Sequence, residues 1–217
     1  MRQTLALAAV AAALVFGGAS YAAAGVPTDT VRDYTDAVVK VLEDPGLKAE
    51  ERKAERRAAV RKIAIDIFDV QETARRALGP HWQQRSPQER EEFVQLFADL
   101  LERTYINKID LFGGEKLRFT DEKIDGDHAI VRGKVITKQG TEVPVEARMI
   151  NRTNRWQIYD IVIENISLVG NYRSQFDRII RTSSYDELAK RLRTKGAFLD
   201  EKDNKDAKDA RPRRSER

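Results

Sequence analysis

The chain has two histidines, His81 and His128, and no cysteine. His81 stands in a turn beside Trp82 and His128 starts a strand just after a hairpin signal, so neither has the spacing of a metal-ligand motif such as H-E-x-x-H. Without cysteine, thiol nucleophiles and cysteine-containing zinc sites are excluded. Asp160 and Glu164 share one face of a strand among apolar neighbours, a setting in which two carboxylates can divide as acid and base. The same two groups can instead meet an arginine such as Arg148 or Arg173, or face water, and no nucleophile or metal constellation accompanies them. Gly113-Gly114 reads as a helix stop and not as a phosphate loop, and no G-x-S-x-G elbow is present. The expectation is therefore a non-enzyme, with no catalytic residue, no metal and no cofactor.

The elements that would position any site begin after an N-terminal leader. Arg2 precedes an apolar run over residues 5–16 and small residues ending in Ala22-Ala23-Ala24. That order is a secretory signal peptide, residues 1–24, cut after Ala22 or Ala24. The run is too short for a membrane span of about 20 residues, and no cysteine follows that could take a lipid anchor. Removal leaves about 195 residues, enough for one domain over 25–199 that must be stable by burial alone. The formal charge of +4 falls to +3 when Arg2 leaves with the leader, and the pI is near 9.2. Lysines and arginines nevertheless interleave with acids over 48–61, and no nucleic-acid-reading motif stands out, which gives a solvated charged face and no nucleic-acid partner. Arg211, Arg213, Arg214 and Arg217 end a charged tail over 200–217. Such a cluster can touch anionic headgroups at about 1 kcal/mol per residue, but the lack of apolar period predicts an unstructured solubilising tail.

Helical patterns come first, strands next and helices last, which is the α+β class. Val31, Tyr34, Val38, Val39 and Leu42 recur at helical spacing over 28–43 and stop at Pro45-Gly46. A second helix over 48–67 is charged in its first half and apolar in its second, and Asp69 caps a short third that ends at Gly79-Pro80. Ser86-Pro87-Gln88-Glu89 is a capping box that opens the longest helix. Its Phe93, Leu96, Phe97, Leu100, Leu101 and Tyr105 form one broad stripe, and the run reaches Gly113-Gly114 with a bend expected near Asn107. Four strands follow at 116–124, 128–138, 142–151 and 155–164, separated by turn signals that favour an antiparallel meander. Ala129, Val131, Gly133 and Val135 line one face of the second strand, and Val143, Val145, Ala147 and Met149 one face of the third. Set against the Phe- and Leu-rich helix, these small faces either leave room for an apolar chain or interdigitate as ordinary core.

Residues 156–176 join a strand of unusual apolarity to an amphipathic helix. Ile158, Tyr159, Ile161, Val162 and Ile163 put apolar groups on both strand faces, and Leu168, Val169, Tyr172, Phe176, Ile179 and Ile180 follow at helical spacing. A further helix opens at a second capping box, Ser184-Tyr185-Asp186-Glu187, and ends at Gly196.

Four stretches carry a family resemblance: A-L-G-P-H-W at 77–82, the long helix from Ser86 to Tyr105, W-Q-I-Y-D-I-V-I-E at 156–164 and S-L-V-G-N-Y-R-S-Q-F at 167–176. Together they resemble the MlaC family, soluble periplasmic phospholipid carriers of the Mla ABC transport system, also called toluene-tolerance auxiliary proteins. Two departures stand out: Asn165 where the family often has glycine, and the charged tail beyond Phe198.

The resemblance implies a four-stranded antiparallel sheet packed by helices around an apolar lipid cavity, in a nuclear-transport-factor-2-like arrangement. It implies a periplasmic monomer that encloses phospholipid acyl chains with broad specificity and moves lipid between outer- and inner-membrane complexes, maintaining outer-membrane lipid asymmetry. The implied partners are phospholipid, the inner-membrane transporter with its MCE-domain ring, and the outer-membrane lipoprotein with its porin. From the matched segments, the expected lining is Phe97, Leu101, Tyr105, Trp156, Tyr159 and Ile161, with Val169, Tyr172 and Phe176. Val131, Val135 and Val145 join them from the two aliphatic strand faces. Arg148 and Arg173 are the candidates for a phosphate at the mouth, because guanidinium offers a bidentate fork. The rival readings are a small α+β enzyme of the same cone shape, which needs a buried acid-base pair, and a periplasmic adaptor or chaperone, which needs an open apolar groove.

Overall fold

The computed structural model of the protein describes residues 26–106 and 112–194. The expected leader, the bend near Asn107, the stop at Gly196 and the charged tail lie outside the described residues.

Pro27 opens α1 (Pro27–Glu43), where its missing N–H is no loss. The amide and hydroxyl of Thr28 both donate to Glu122 Oε2, at 2.7 and 2.6 Å, so an acidic group closes the helix start and ties it to the sheet. Of the second helix expected over 48–67, only the start differs: a 3-10 turn, Glu50–Arg52, precedes α2 (Lys53–Ile67), which keeps most of the charged half helical, and another 3-10 turn, Pro45–Leu47, follows α1. Asp69 accepts from the Glu72 amide and caps α3 (Val70–Leu78), which Gly79 ends at a φ of 56°. A 3-10 segment, Gly79–Gln84, leads to α4 (Pro87–Tyr105). Both arms of its capping box are made: Ser86 N–H donates to Glu89 at 2.7 Å and Glu89 N–H to Ser86 Oγ at 3.2 Å.

The sheet is an antiparallel meander, β1 (Lys116–Asp125), β2 (His128–Ile136), β3 (Glu142–Arg152) and β4 (Arg155–Ile163), in that spatial order. The count is five and not four, because a two-residue strand, β5 (Ile166–Ser167), folds back on β4. The turn between them places Glu164 and Asn165 at φ of 49° and 66°, the double positive φ of a type I′ hairpin. Asn165 is among the residues that best tolerate that region. Two bulges interrupt the ladder, at Thr120 between Phe119 and Asp121, and at Tyr159 opposite the Arg148/Met149 step. The second resets the alternation of β4, so that Ile158 and Ile161 both meet the helix-covered face, although three residues apart. This is the physical reason for the two-sided apolarity of that strand.

After β5 come α5 (Leu168–Thr182) and α6 (Tyr185–Arg193). Ser184 accepts from the Glu187 amide at 3.1 Å, but the Glu187 carboxylate takes Arg191 Nε at 2.8 Å, so only one arm of that capping box is made.

Two separate cores result. The first lies among α3, α4, α5 and α6, where Phe93, Phe97, Tyr172, Phe176 and Tyr185 form a continuous ring cluster with centroids 5.1 to 6.5 Å apart. Edge-to-face pairs such as Phe97 with Tyr172 suit the quadrupoles of the rings. The second core lies between the sheet and the first two helices, from Val31 and Ile67 to Ala129, Met149, Trp156 and Ile158. The aliphatic strand faces are thus covered by α1 and α2 and not by the Phe-rich α4, which spends its stripe on α5 and α6.

A charged network locks α3 to the β3–β4 hairpin. Arg75, Arg76 and Arg152 all donate to the buried Glu72 carboxylate, at 2.6 to 3.0 Å, and Arg152 Nε also reaches Asp69 at 2.9 Å. The Arg75 bonds foremost, then Arg76, hold the Glu72 carboxyl down at about 2 against the opposing effect of burial.

Two predictions follow from this architecture. Phe176→Ala removes a fully buried ring and should lower unfolding free energy by about 3–5 kcal/mol in a urea titration. Because the folded pKa of Glu72 is depressed from 4.5 to about 2, its contribution is present above pH 4.5 and is lost as pH falls through that window. Urea midpoints measured against pH should show Glu72→Gln with a flatter acid limb there than the parent chain.

Candidate functional site

Between the sheet and α1–α2 lies a cavity of about 910 Å³. That size is at the upper end of the roughly 300–1,000 Å³ of small-molecule sites. Its floor is the aliphatic face of β2 and β3, with Val131, Gly133 and Val135 beside Val145 and Ala147, extended by Leu117 and Phe119 from β1 and by Ile158, Ile161 and Ile163 from β4. Its roof is α1 and the second half of α2, which present Val31, Tyr34, Val38, Val39 and Leu42, and Ile63 and Ile67. Of the five apolar roof residues from α1, only Val31 is buried; the rest are half-buried, as befits side chains that face a cavity and not a packed layer.

Gly133 sets the shape of the floor. A Cβ there would stand 2.9 Å from the Arg118 carbonyl oxygen and 3.1 Å from Leu117 Cδ1, so no larger residue fits without moving backbone. Phe119 is paired directly across from it, so the β1 backbone runs close beside the glycine.

The roof is fastened at two points. One is the Thr28 to Glu122 pair at the start of α1. The other is Tyr34, whose hydroxyl donates to Asp66 on α2 while Arg155 of β4 binds the same carboxylate. Burial first, then the Asp66 contact, raises the Tyr34 phenol, and the Tyr34 and Arg155 bonds hold the Asp66 carboxyl down. Tyr34 therefore stays a neutral donor facing an ionised acceptor. Charged side chains at the cavity edge include Arg32, whose guanidinium lies 5.1 Å from the Phe119 ring centroid, and the exposed Lys116.

Of the residues expected to line a pocket, Val131, Val135, Val145 and Ile161 lie together on this cavity. Trp156 is buried in the same core, beside the closed end. Phe97, Val169, Tyr172 and Phe176 sit in the helical core, Leu101 packs against that core, and Tyr105 is 40% exposed near the end of α4. Tyr159 lies at the bulge, under the Arg76 guanidinium at 3.9 Å. Arg148 is on the opposite face of β3, 3.3 Å from Asp160 and 3.8 Å from Glu146, and Arg173 is exposed with its stem over Gly79. Sequence reasoning missed the α1 and α2 roof as a wall. The signal is the apolar period of Val31, Tyr34, Val38, Val39 and Leu42, which marks a covered helix face without saying what it faces.

Asp160 and Glu164 are not brought together as an acid-base pair. Asp160 is 4% exposed and accepts from Ser167 Oγ at 2.6 Å, from the Val169 amide at 3.0 Å and from Arg148. It is the anchor that holds the first turn of α5 on β4, where a carboxylate suits the helix start. Glu164 is exposed in the I′ turn. Among the described residues, no group of three His, Cys, Asp or Glu side chains is placed to hold a metal ion, and no helix is long and apolar enough to cross a membrane.

An antiparallel sheet roofed by two helices over an apolar cavity, with a second helical layer behind it, defines an α+β fold. The family model described as MlaC protein matches residues 32–194, and the chain belongs to that family. It is 23% identical over 141 residues to the intermembrane phospholipid transport system binding protein MlaC of Haemophilus influenzae, an alignment that covers 63% of this chain and 66% of that protein, just under two thirds of its length. The fold matches that of a phospholipid-binding protein from Ralstonia solanacearum, solved in complex with a phospholipid, at a TM-score of 0.67 and 23% identity, covering 78% of this chain and 96% of that one.

The floor geometry makes one direct prediction. Gly133→Val forces a side chain against the β1 backbone and should destabilise the fold by about 1–3 kcal/mol in urea unfolding.

Proposed function

We propose that the protein is a soluble periplasmic carrier that holds phospholipid acyl chains in the cavity between its sheet and α1–α2 and moves lipid between membrane complexes. The observation that carries this reading is the cavity itself, about 910 Å³, whose floor and roof are mainly Val, Ile, Leu and Phe, with charged residues such as Arg32, Glu43, Lys116 and Arg132 also on the lining. Membership of the MlaC family supports it, as do the similar proteins from Haemophilus influenzae, a phospholipid transport system binding protein, and Ralstonia solanacearum, a phospholipid-binding protein.

The physics of the task suits the architecture. Each methylene exposed to water costs about 0.8 kcal/mol, so two long acyl chains carry more than about 20 kcal/mol of gross transfer cost. A carrier across an aqueous compartment must enclose them. Acyl chains offer no directional groups, so volume and apolarity set the selectivity and broad phospholipid specificity follows. Tails rest against Val131, Val135, Val145 and Ile161 on the floor and against the α1 stripe above. The headgroup stays at the edge, where Arg32, Lys116 and Arg132 are lining cations; Arg148 and Arg173 are placed elsewhere. Release requires a partner that favours an open roof, because a site with equal affinity in every state would not empty. The inner-membrane transporter with its MCE-domain ring and the outer-membrane lipoprotein–porin complex are the proposed partners, and the proposed role is binding and not catalysis.

Val145→Trp or Val131→Trp should fill the floor. Each variant should lose at least tenfold in uptake of phospholipid from fluorescent vesicles while keeping parental circular dichroism. Folded variants that load as the parent does would remove the cavity from the account.

A further inference from the structure

His128 and Ile150 point away from the lipid-type cavity, since they alternate with Ala129 and Met149 on the strands. On that opposite face, near the β3–β4 hairpin, α3, the following turn and the first half of α4 enclose a second concavity of about 800 Å³. Four arginines line it, Arg75 and Arg76 from α3, Arg90 from α4 and Arg152 from β3, against two glutamates, Glu72 and Glu91.

The arginines are held in place before any ligand arrives. Glu72, with a side chain only 3% exposed, gathers Arg75, Arg76 and Arg152 on one carboxylate. Arg76 is further fixed by stacking 3.9 Å above Tyr159 and by His128 Nε2 at 3.3 Å. Arg90 donates to the Trp82 and Gln83 carbonyls at 3.0 and 3.3 Å. One carboxylate, helped at Arg152 by Asp69, cannot neutralise three guanidiniums. Side-chain exposures of 46%, 31% and 53% for Arg75, Arg76 and Arg152 leave outward donor edges in water. Trp82, Val94 and Ile150 add an apolar wall to the same concavity.

Preorganised guanidiniums lower the entropy lost when an oxyanion is bound, and a fork of N–H groups matches a carboxylate bidentately. Arginine beside tryptophan in a concave setting is the composition of an interface hot spot. A concavity of this volume, with apolar walls, is larger than a single inorganic oxyanion requires. We propose that it is a docking site for an acidic segment of a partner protein, whose Asp or Glu side chains take the outward edges of Arg75, Arg76 and Arg152 while its apolar side chains rest on Val94 and on the small exposed edges of Trp82 and Ile150, each 7% exposed. This inference is independent of what the lipid-type cavity holds.

The test uses the mature chain, with a decapeptide of alternating Glu and Leu and inorganic phosphate as separate probes, in calorimetry at low and physiological salt. The peptide should bind with one-to-one stoichiometry and weaken as salt rises. Arg75→Gln and Arg152→Gln should each weaken it about tenfold, as loss of a charge-assisted hydrogen bond does, whereas Lys134→Gln on the sheet should not. Should an arginine variant fail to fold, amide and indole shift changes on the unsubstituted protein decide: changes at Trp82, Ile150 and Arg152 support the site. No binding at low salt, equal binding by folded variants, shift changes confined to other surfaces, or phosphate binding as tightly as the peptide would each overturn the docking proposal. Co-purified lipid, measured on the same samples, reads the other cavity separately.

Discussion

On the sheet face toward α1 and α2, Ala129, Val131, Gly133 and Val135 of β2 stand beside Val143, Val145, Ala147 and Met149 of β3, and this shortage of side-chain volume governs the rest of the molecule. Protein interiors close to crystal-like density only when facing layers supply enough volume. Near the β3–β4 hairpin they do: Met149 and Trp156 pack with Val31, Ile67 and Ile158, which border the cavity, in one buried cluster. Toward the β2–β3 hairpin the floor thins to valine and glycine, the roof offers Val38, Val39 and Leu42, and the layers enclose a cavity. Gly133 can be nothing larger, because the β1 backbone already stands where its side chain would go.

A fold that keeps one interface incompletely packed needs its stability elsewhere. The ring cluster of α4, α5 and α6 supplies it, and it is physically apart from the cavity. Asp160 and the Glu72 network join the two regions: the first pins the start of α5 to β4, the second ties α3 to the β3–β4 hairpin. Thr28 and Tyr34 fasten the roof by polar contacts at part-buried and exposed positions, which water can replace more readily than buried ones. Beside these polar ties, Val31 and Ile67 hold the roof on the sheet through the second core.

Much of this was legible in the sequence. The class, the order of elements, the meander, the Ser86 capping box and the small aliphatic strand faces all follow from period and turn chemistry. The placement of the walls did not. Phe97, Tyr172 and Phe176 carry the apolarity expected of a lining, but periodicity tells which face of a helix is buried and not against what. Val38, Val39 and Leu42 show the same helical period as any core helix, and only their half-burial in the fold distinguishes them as a wall. The bulge at Tyr159 was hidden too, since a shift of one residue leaves composition unchanged while it turns Asp160 to α5 and keeps Ile161 on the floor. Clustering of Arg75, Arg76 and Arg152 on Glu72 joins residues 80 positions apart and has no local signature.

The central claim is that the cavity under α1 and α2 holds the acyl chains of a phospholipid. Native mass spectrometry with organic extraction, on mature protein purified without detergent from a periplasmic fraction, tests it most directly. The account predicts a stoichiometric diacyl phospholipid that survives gel filtration. A protein that emerges without lipid, and that also fails to extract lipid from vesicles, would contradict it.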